Sequence, residues 1–405
     1  MASIVESQIP DTARKKLVLP SLVLSRFASI TPIQVLNLLL VDIAASYGSS
    51  VGVAGQLQTA SSSVGLIGAL LVAAISVKFR SASLLLVGLT VLSLSSLGVY
   101  LAPSLQVMLI FYALSGLANS IIPPMSSTLV GERFTPGLRS HAMSWLTVGM
   151  SLAGIVGPPI VSTISSLWGW RLVFLAYAFP LYLVTLLLSI VALKNKEAPK
   201  TATASSILEG FKAIFSNRSA ISCLVGYALA CAAYQAIMLY AASFYRQRFL
   251  LSSGVVSLIV LVGALFSTLG AFAGGHLVNR FGRKPVSVLS AVAAGVPIIF
   301  FTNLTDPWAS IGAVYLGRFF TSVLVISVNL LLLEQVTKYR GSMMSISSAA
   351  SSLGSTMGAM TGGWVLITYG YELIGTVLGA TMLLAAVVFR FLSVDLVRNE
   401  GTNTA

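Results

Sequence analysis

The chain has 405 residues, of which 56% are apolar and only 9% are charged, and its mean hydropathy is +0.93. An ordinary soluble domain carries about 25% charged residues, so this composition excludes a water-soluble enzyme and a disordered chain. The net charge of +13 does not require a nucleic-acid partner, because membrane proteins collect lysine and arginine in cytoplasmic loops. The composition therefore predicts an all-α protein embedded in a lipid bilayer.

Twelve apolar runs, each of about the length that a helix needs to cross a bilayer, follow one another along the chain. The first six lie at 21–43, 56–77, 82–102, 105–130, 142–165 and 171–193. The last six lie at 219–244, 253–278, 285–303, 310–333, 342–366 and 372–392. We therefore expect two six-helix bundles, at 21–193 and 219–392, with tails at 1–20 and 393–405.

A polar linker, 194–218, separates the two sets of spans. Its segment 207–215 alternates apolar and polar residues in a pattern typical of an interfacial amphipathic helix. The linker is rich in lysine, which favours a cytoplasmic position.

The basic residues predict the orientation of the spans. With the N-terminus inside, only Arg171, Arg246 and Arg248 fall on the outer side, and Arg318 falls within a span. The remaining bases fall on or near the cytoplasmic side, as the positive-inside rule requires. Both termini are therefore expected in the cytoplasm of a multi-pass protein of the cell membrane.

The two halves of the sequence repeat each other. The junction of spans 4 and 5 runs from Glu132 to Arg139, and the junction of spans 10 and 11 runs from Glu334 to Arg340. The same register matches glycines and aromatic residues: Gly116 with Gly317, Gly157 with Gly358, and Trp168-Gly169-Trp170 with Tyr369-Gly370-Tyr371. Duplication of a six-span unit is typical of secondary transporters, whose binding site lies between the halves.

Three motifs carry a resemblance to a known family. They are the loop Gly275-His276-Leu277-Val278-Asn279-Arg280-Phe281-Gly282-Arg283-Lys284, the repeated Glu…Arg junction, and Gly154-Ile155-Val156-Gly157-Pro158-Pro159 in span 5. On these residues, the chain resembles the major facilitator superfamily over nearly its full length. The span 5 motif and the stretches 41–48 and 54–57 are similar to its arabinose-efflux and multidrug exporter branch. The resemblance implies twelve transmembrane helices in two bundles related by pseudo-two-fold symmetry.

The resemblance also implies gating roles. In the family an acid occupies the position of Asn279 and latches the cytoplasmic side, so we predict a weaker latch and a larger inward-open population here. The loop residues that would take part are Asn279, Arg280, Gly282, Arg283 and Lys284, although its bases are equally typical of a topology signal.

Two further sets of residues are gating candidates. Glu132 with Arg139, and Glu334 with Arg340, either hold the halves together or form solvated surface pairs. Gly157 and Pro158 favour close packing and bending of span 5.

Polar side chains recur at helical spacing on spans 1, 4, 7 and 10, which line the central cavity in this family. Polar groups within lipid are costly and tend to face a cavity, so these residues are candidate substrate contacts. They are Gln34 and Asn37; Tyr112, Ser115 and Asn119; Tyr227, Tyr234 and Gln235; and Arg318, Ser322 and Asn329. The aromatic residues of span 7 are also compatible with packing against lipid or the core.

Arg318 and Asp42 are the two charged candidates. Arg318 lies about 12 Å inside span 10, where a guanidinium needs a carboxylate- or phosphate-bearing cargo, a pair with Asp42, or hydrogen bonds to helix carbonyls. Asp42 lies close to the interior of a span and is the candidate for proton coupling. His141 and His276 lie near cytoplasmic ends and are weaker candidates.

The sequence predicts a secondary transporter that exports a small organic molecule by alternating access, coupled to proton antiport. Two alternatives remain open: uptake or facilitated diffusion of an organic anion whose carboxylate binds Arg318, and a membrane sensor that does not transport. The chain lacks a nucleotide-binding loop and a zinc-hydrolase motif, so we expect no enzyme activity, cofactor or metal. The expected partners are a small-molecule substrate, the lipid bilayer and protons, without nucleic acid, and we expect a monomer.

Overall fold

The computed structural model describes residues 11–75, 79–193, 212–336 and 340–393, and nearly all of these are helical. Helices follow from the apolar sequence, because a backbone in lipid must satisfy its hydrogen bonds within its own segment. The first half contains α1 (Asp11–Ser46), α2 (Gln56–Ile75), α3 (Ser81–Leu101), α4 (Leu105–Arg133), α5 (Pro136–Trp168) and α6 (Trp170–Leu193). The second half contains α7 (Arg218–Arg248), α8 (Ser253–Phe281), α9 (Arg283–Phe300), α10 (Pro307–Gln335), α11 (Arg340–Tyr369) and α12 (Glu372–Leu392).

Ten of these helices are long and apolar enough to cross a membrane. The other two, α2 and α11, carry the serine-rich segments 61–63 and 345–352. The described residues contain no strand, so the all-α fold is confirmed.

Several helices are longer than the apolar runs that predicted them. α1 begins at Asp11, so half of the expected tail 1–20 is helical. α10 has 29 residues, which at 1.5 Å per residue exceeds the ≈ 30 Å hydrocarbon thickness. Hydrogen bonding continues the helices past the apolar zone with polar residues at their ends. Of the expected linker helix, 207–211 lie outside the described residues, and 212–216 are helical.

Equivalent turns in the two halves agree with the duplication. Gly169 follows α5 with φ +86°, and Gly370 follows α11 with φ +71°. Both lie in the left-handed region that glycine enters without a steric penalty. At another equivalent pair of positions, Ser81 donates to Glu132 at 2.9 Å in the first half, and Arg283 pairs with Glu334 in the second. The same framework therefore recurs with different side chains.

The two halves meet along three helix pairs: α1 with α7, α2 with α11, and α5 with α8. One apolar core runs through both halves and includes Val35, Leu39 and Tyr240. We call the end at which α1 and α7 finish the Asp42 end, and the end at which α4 and α10 finish the Glu334 end. The seam between the halves, close to the Asp42 end, contains the cavity described next.

Candidate functional site: the cavity between the halves

A small cavity lies between the first half and the second. α1 contributes Gln34 and Asn37, and the second half contributes residues of α7, α8 and α10: Met238, Ala241, Ala242, Tyr245, Ile259, Val260, Val314, Tyr315 and Arg318. The walls are therefore mostly apolar, with a few polar groups on opposite sides. This composition is typical of small-molecule sites.

Arg318 is the charged group of the cavity, and its side chain is only 8% exposed. Its Nε donates to Ser267 Oγ on α8 at 3.2 Å. The phenols of Tyr234 and Tyr315 are close enough to interact with it electrostatically. The described residues place no carboxylate within salt-bridge distance of Arg318, so its charge has no acidic counterpart there.

The backbone of α8 makes room for this guanidinium. A Cβ atom added at Gly263 would lie 2.5 Å from Arg318 Nη1, so a larger residue would push the guanidinium away. One turn earlier on α10, Tyr315 donates to the carbonyl oxygen of Ile259 at 3.1 Å, and its ring stacks on Phe266 at 5.0 Å. These contacts fix α10 against α8 and position Arg318 at the cavity wall.

Asn37 faces Arg318's cavity from the other half of the molecule. Its side chain is only 6% exposed, and its Oδ1 atom has no hydrogen-bond partner. A buried carbonyl oxygen without a partner is costly, so this atom is available to accept a hydrogen bond from a bound molecule. Gln34 lies one turn earlier, beside Gly154 of α5.

Asp42 binds Arg246 rather than Arg318, so one of the three alternatives for Arg318 is wrong. Arg246 Nη1 donates to Asp42 Oδ2 at 2.5 Å, and Nη2 donates to Oδ1 at 2.8 Å. The two side chains belong to α1 and α7 and are 28% and 18% exposed. This bidentate ion pair connects the two halves at the Asp42 end.

Close backbone contacts reinforce the seam at the Asp42 end. A Cβ atom at Gly52 would lie 2.7 Å from the carbonyl oxygen of Gly363 on α11. A Cβ atom at Gly55 would lie 2.1 Å from the hydroxyl of Tyr240, which donates to the carbonyl oxygen of Ala359 at 3.0 Å. Glycine at these positions therefore allows the segment 51–55, which precedes α2, to approach α7 and α11.

Each half has one tyrosine near the Asp42 end that makes hydrogen bonds within that half. Tyr47 donates to the carbonyl oxygen of Ala102 at 2.9 Å and accepts from Arg171 at 3.2 Å. Tyr371 donates to Gln247 at 2.8 Å. Burial raises the pKa of the Tyr47 phenol, with a smaller opposing effect of Arg171, and burial also raises the pKa of Tyr371. Both phenols therefore stay protonated at neutral pH.

Two predicted cavity residues of α4 make contacts within the first half instead. Tyr112 is buried and donates to the carbonyl oxygen of Pro32 at 3.1 Å. Ser115 is also buried, with its hydroxyl 3.0 Å from that of Ser61 on α2. Their shared face points at α1 and α2. The sequence could not predict this, because helical spacing identifies a common face but not the neighbour that covers it.

The other predicted substrate contacts, except Tyr234, are not among the residues that line the cavity or lie beside Arg318. The hydroxyl of Tyr227 is beside Cys231 of its own helix, Asn329 of α10 and Ser351 of α11. Asn119, Ser322 and Gln235 are partly buried. Of the predicted substrate contacts, the structure thus places Gln34, Asn37 and Arg318 around one cavity, with Tyr234 beside Arg318.

The predicted gating loop contacts other parts of the second half. Arg283 pairs with Glu334 of α10, and Lys284 donates to the carbonyl oxygen of Ser393 at 2.6 Å. Gly282 separates α8 from α9 with φ +89°. Asn279 is exposed, and exposed Arg280 stacks on Phe281 with its guanidinium carbon 5.3 Å from the ring.

The described contacts of the junction residues Glu334 and Arg139 lie within their own halves. Glu334 binds Arg283, whereas the side chain of Arg340 lies outside the described residues. Arg139 donates through Nε to the carbonyl oxygen of Phe134 at 3.0 Å.

The span 5 motif lies inside a continuous α5. Pro158 and Pro159 fall within this helix. Gly157 faces the hydroxyl of Tyr177, and Gly154 faces Ala264 of α8 across the seam between the halves.

Arg26 is a partly buried charge that the sequence analysis missed. It lies on α1, where its Nη2 contacts Met150 Sδ of α5 at 2.8 Å, and its buried Nε has no hydrogen-bond partner. Because it is close to the start of span 1, it was grouped with the cytoplasmic bases. Its position within a long apolar run was the signal that could have identified it.

Comparisons with known proteins agree with this architecture. The sequence profile of the Major Facilitator Superfamily matches residues 22–252 and 223–405. A probable sugar efflux transporter of Helicobacter pylori (strain P12) is 24% identical over 88% of this chain and 90% of its own length. The MFS-type transporter YwfA of Bacillus subtilis is 25% identical over 92% of this chain and 90% of its own length.

Two further matches concern a shorter segment and the fold. A Na⁺, Li⁺, K⁺/H⁺ antiporter of Planococcus maritimus is 24% identical over 42% of this chain and 41% of its own length. The crystal structure of a bacterial homolog of the human lysosomal transporter Spinster, inward-facing and unoccupied, superposes with a TM-score of 0.69. That match covers 95% of each chain at 15% sequence identity. The chain is a multi-pass membrane transporter, not an enzyme, and belongs to the Major Facilitator Superfamily.

Proposed function

We propose that this transporter exports a small polar organic molecule, of about the size of a sugar, through the cavity between its halves. The observation that carries the proposal is the cavity itself, sealed at the Asp42 end by the Asp42–Arg246 pair. A molecule held there can leave through that end only after the pair separates.

Export is the direction that the relatives' names favour, and the charge asymmetry assigns the two ends to the two sides of the membrane. The Helicobacter pylori relative is named a sugar efflux transporter. The positive-inside rule assigns the Asp42 end to the outside of the cell. Opening of the Asp42 end would then release the cargo outside, and opening of the Glu334 end would load it from the cytoplasm.

We place the proton coupling at Asp42. Its carboxylate pairs with Arg246 when the Asp42 end is closed, and opening of that end removes this partner. Protonation and conformation are therefore linked, since each state of the carboxylate favours one arrangement of the halves. The antiporter relative of Planococcus maritimus agrees with such coupling.

Export from proteoliposomes tests this proposal. The vesicles are loaded with radiolabelled D-glucose, D-glucuronate or D-glucose 6-phosphate, and efflux is measured with and without an acidic bath. We expect efflux of at least one probe to exceed that from protein-free vesicles, and the acidic bath to accelerate it. The Asp42→Asn variant is expected to lose this acceleration.

The possible outcomes separate the parts of the proposal. Efflux of none of the three probes above the protein-free rate contradicts export of a sugar-sized molecule. Efflux that is insensitive to bath pH in the parent protein contradicts proton coupling. An acceleration that persists fully in Asp42→Asn removes Asp42 from the coupling while leaving export intact.

A further inference from the structure

We propose that the cargo is a hydroxylated organic acid, whose carboxylate or phosphate group binds Arg318 and whose hydroxyl group donates to Asn37. This inference rests on the proposed export function and narrows its substrate class. It follows from two polar groups on opposite walls of one cavity, a cation on α10 and an unsatisfied acceptor on α1.

The first step concerns the charge of Arg318. A buried guanidinium is stable only where an anion or enough hydrogen-bond acceptors compensate its loss of water. It carries five N–H donors, and Ser267 accepts from Nε. Because the described residues supply no carboxylate to this group, an anion in the cavity is its natural counterpart, and a forked guanidinium suits a carboxylate or phosphate.

The second step concerns the space around Arg318. Gly263 leaves room for Nη1, and Tyr315 holds α10 against α8. The guanidinium is therefore held at a wall that faces Gln34 and Asn37. A preorganised cation of this kind favours an anion over a neutral molecule of the same size.

The third step concerns the opposite wall. Asn37 Oδ1 is buried and has no hydrogen-bond partner, so it requires a donor. A carboxylate or phosphate offers none, whereas a hydroxyl group on the same molecule does. The cavity thus favours a cargo with an acid group on one side and a hydroxyl group on the other.

A second arginine, which is partly buried, lies toward the Glu334 end. Arg26 precedes Gln34 by about 12 Å along α1, and its Nε has no hydrogen-bond partner. The residues that the structure describes pair it with Met150 and with no carboxylate. A negatively charged cargo entering from the Glu334 end would therefore meet the partly buried Arg26 before it reaches Arg318.

Three probes with one sugar skeleton test the inference. D-glucose is neutral, D-glucuronate carries a carboxylate and D-glucose 6-phosphate carries a phosphate. Equilibrium binding of each radiolabelled probe is measured on the full chain purified in detergent, at constant ionic strength. We expect at least one acid to bind about tenfold or more tightly than glucose, because an ion pair between the guanidinium and an anionic group replaces a hydrogen bond to an uncharged hydroxyl group.

Variants identify the group responsible. Arg318→Gln is expected to weaken binding of the preferred acid by about tenfold or more, to the level of glucose. Arg318→Lys keeps the charge and is expected to retain the preference for the acid with lower affinity. Arg248→Gln is the matched control, because Arg248 is exposed at the end of α7, and it should leave all three affinities unchanged.

Several results would overturn the inference. They are equal or tighter binding of glucose, binding of none of the three probes, and an unchanged acid affinity in Arg318→Gln. If Arg318→Gln does not fold, loss of the acid preference in Arg318→Lys contradicts the inference. Export of glucose alone from proteoliposomes would contradict an acidic cargo and leave the proposed export function standing.

Discussion

Asp42 and Arg246 lie 204 positions apart in sequence, yet their side chains form a two-pronged ion pair between the first half and the second. Both are less than a third exposed. The pair joins α1 to α7 at the end where those helices finish. It therefore stabilises specifically the arrangement in which this end is closed.

Removal of one charge should open this end more often. We expect Asp42→Asn to raise the population open at the Asp42 end about fivefold, since an ion pair of this exposure contributes about 1 kcal/mol. The readout is labelling of Ala241→Cys, a cavity position on α7, by a membrane-impermeant maleimide. Cys223 and Cys231, both buried, are replaced by serine beforehand.

A charge exchange provides the control for this prediction. The double variant Asp42→Arg/Arg246→Asp can re-form the pair and should return labelling toward the parent rate. Labelling that stays high in the exchange variant, or never rises in Asp42→Asn, would show that the pair does not hold the end closed.

Gly263 should be required for the position of the Arg318 guanidinium. Its replacement by alanine places a Cβ atom 2.5 Å from Nη1, and we expect acid binding to fall about tenfold without loss of folding. Gly275→Ala is the matched control on the same helix, because a Cβ atom there has nothing within 4 Å. Equal binding by the two variants would contradict the role of Gly263.

Arg26 should affect transport more than binding. It lies about 12 Å along α1 from Gln34, so Arg26→Gln is expected to slow export of the preferred acid severalfold and to change its equilibrium affinity less than twofold. Rates come from the proteoliposome assay and affinities from the detergent assay. A tenfold loss of affinity would instead make Arg26 a direct ligand of the bound cargo.

The pair of Arg283 with Glu334 should stabilise the ends of α9 and α10 within the second half. A double-mutant cycle with Arg283→Gln and Glu334→Gln is expected to give a coupling energy of about 1 kcal/mol in thermal unfolding. Arg280 is exposed and stacks on Phe281, so Arg280→Gln with Glu334→Gln should show no coupling. Equal coupling energies in both cycles would mean that the overall charge, and not the specific Arg283–Glu334 pair, determines the change in stability.

The sequence predicted the all-α fold well because lipid leaves few alternatives for an apolar backbone. The sequence also singled out Gln34, Asn37 and Arg318, which line the cavity, since polar groups within apolar runs are easily recognised. Spacing along one helix could not distinguish Tyr112, which packs on α1, from a residue that faces the cavity. The direction in which a helix face points depends on the helices packed around it, and residue spacing carries no information about those helices.

Contacts between segments that are distant in the sequence could not be predicted from local sequence patterns. Asp42 offered no clue that its partner is Arg246, because the pairing depends on how α1 and α7 cross the seam. The role of Gly263 likewise depends on the approach of α10. Arg26 was missed for a different reason, since its proximity to a span end made a partly buried charge look like a topology signal.

The central claim is that the two ends open in alternation around the cavity, and two distances test it most directly. Pulsed electron paramagnetic resonance can measure one distance between spin labels at Val53 and Leu250, and the other between labels at Leu138 and Phe281, all exposed side chains. The first pair spans the Asp42 end and the second spans the Glu334 end. In Asp42→Asn, the account predicts a longer first distance together with a shorter second distance. Lengthening of both distances, or a change at one end alone, would contradict alternating access.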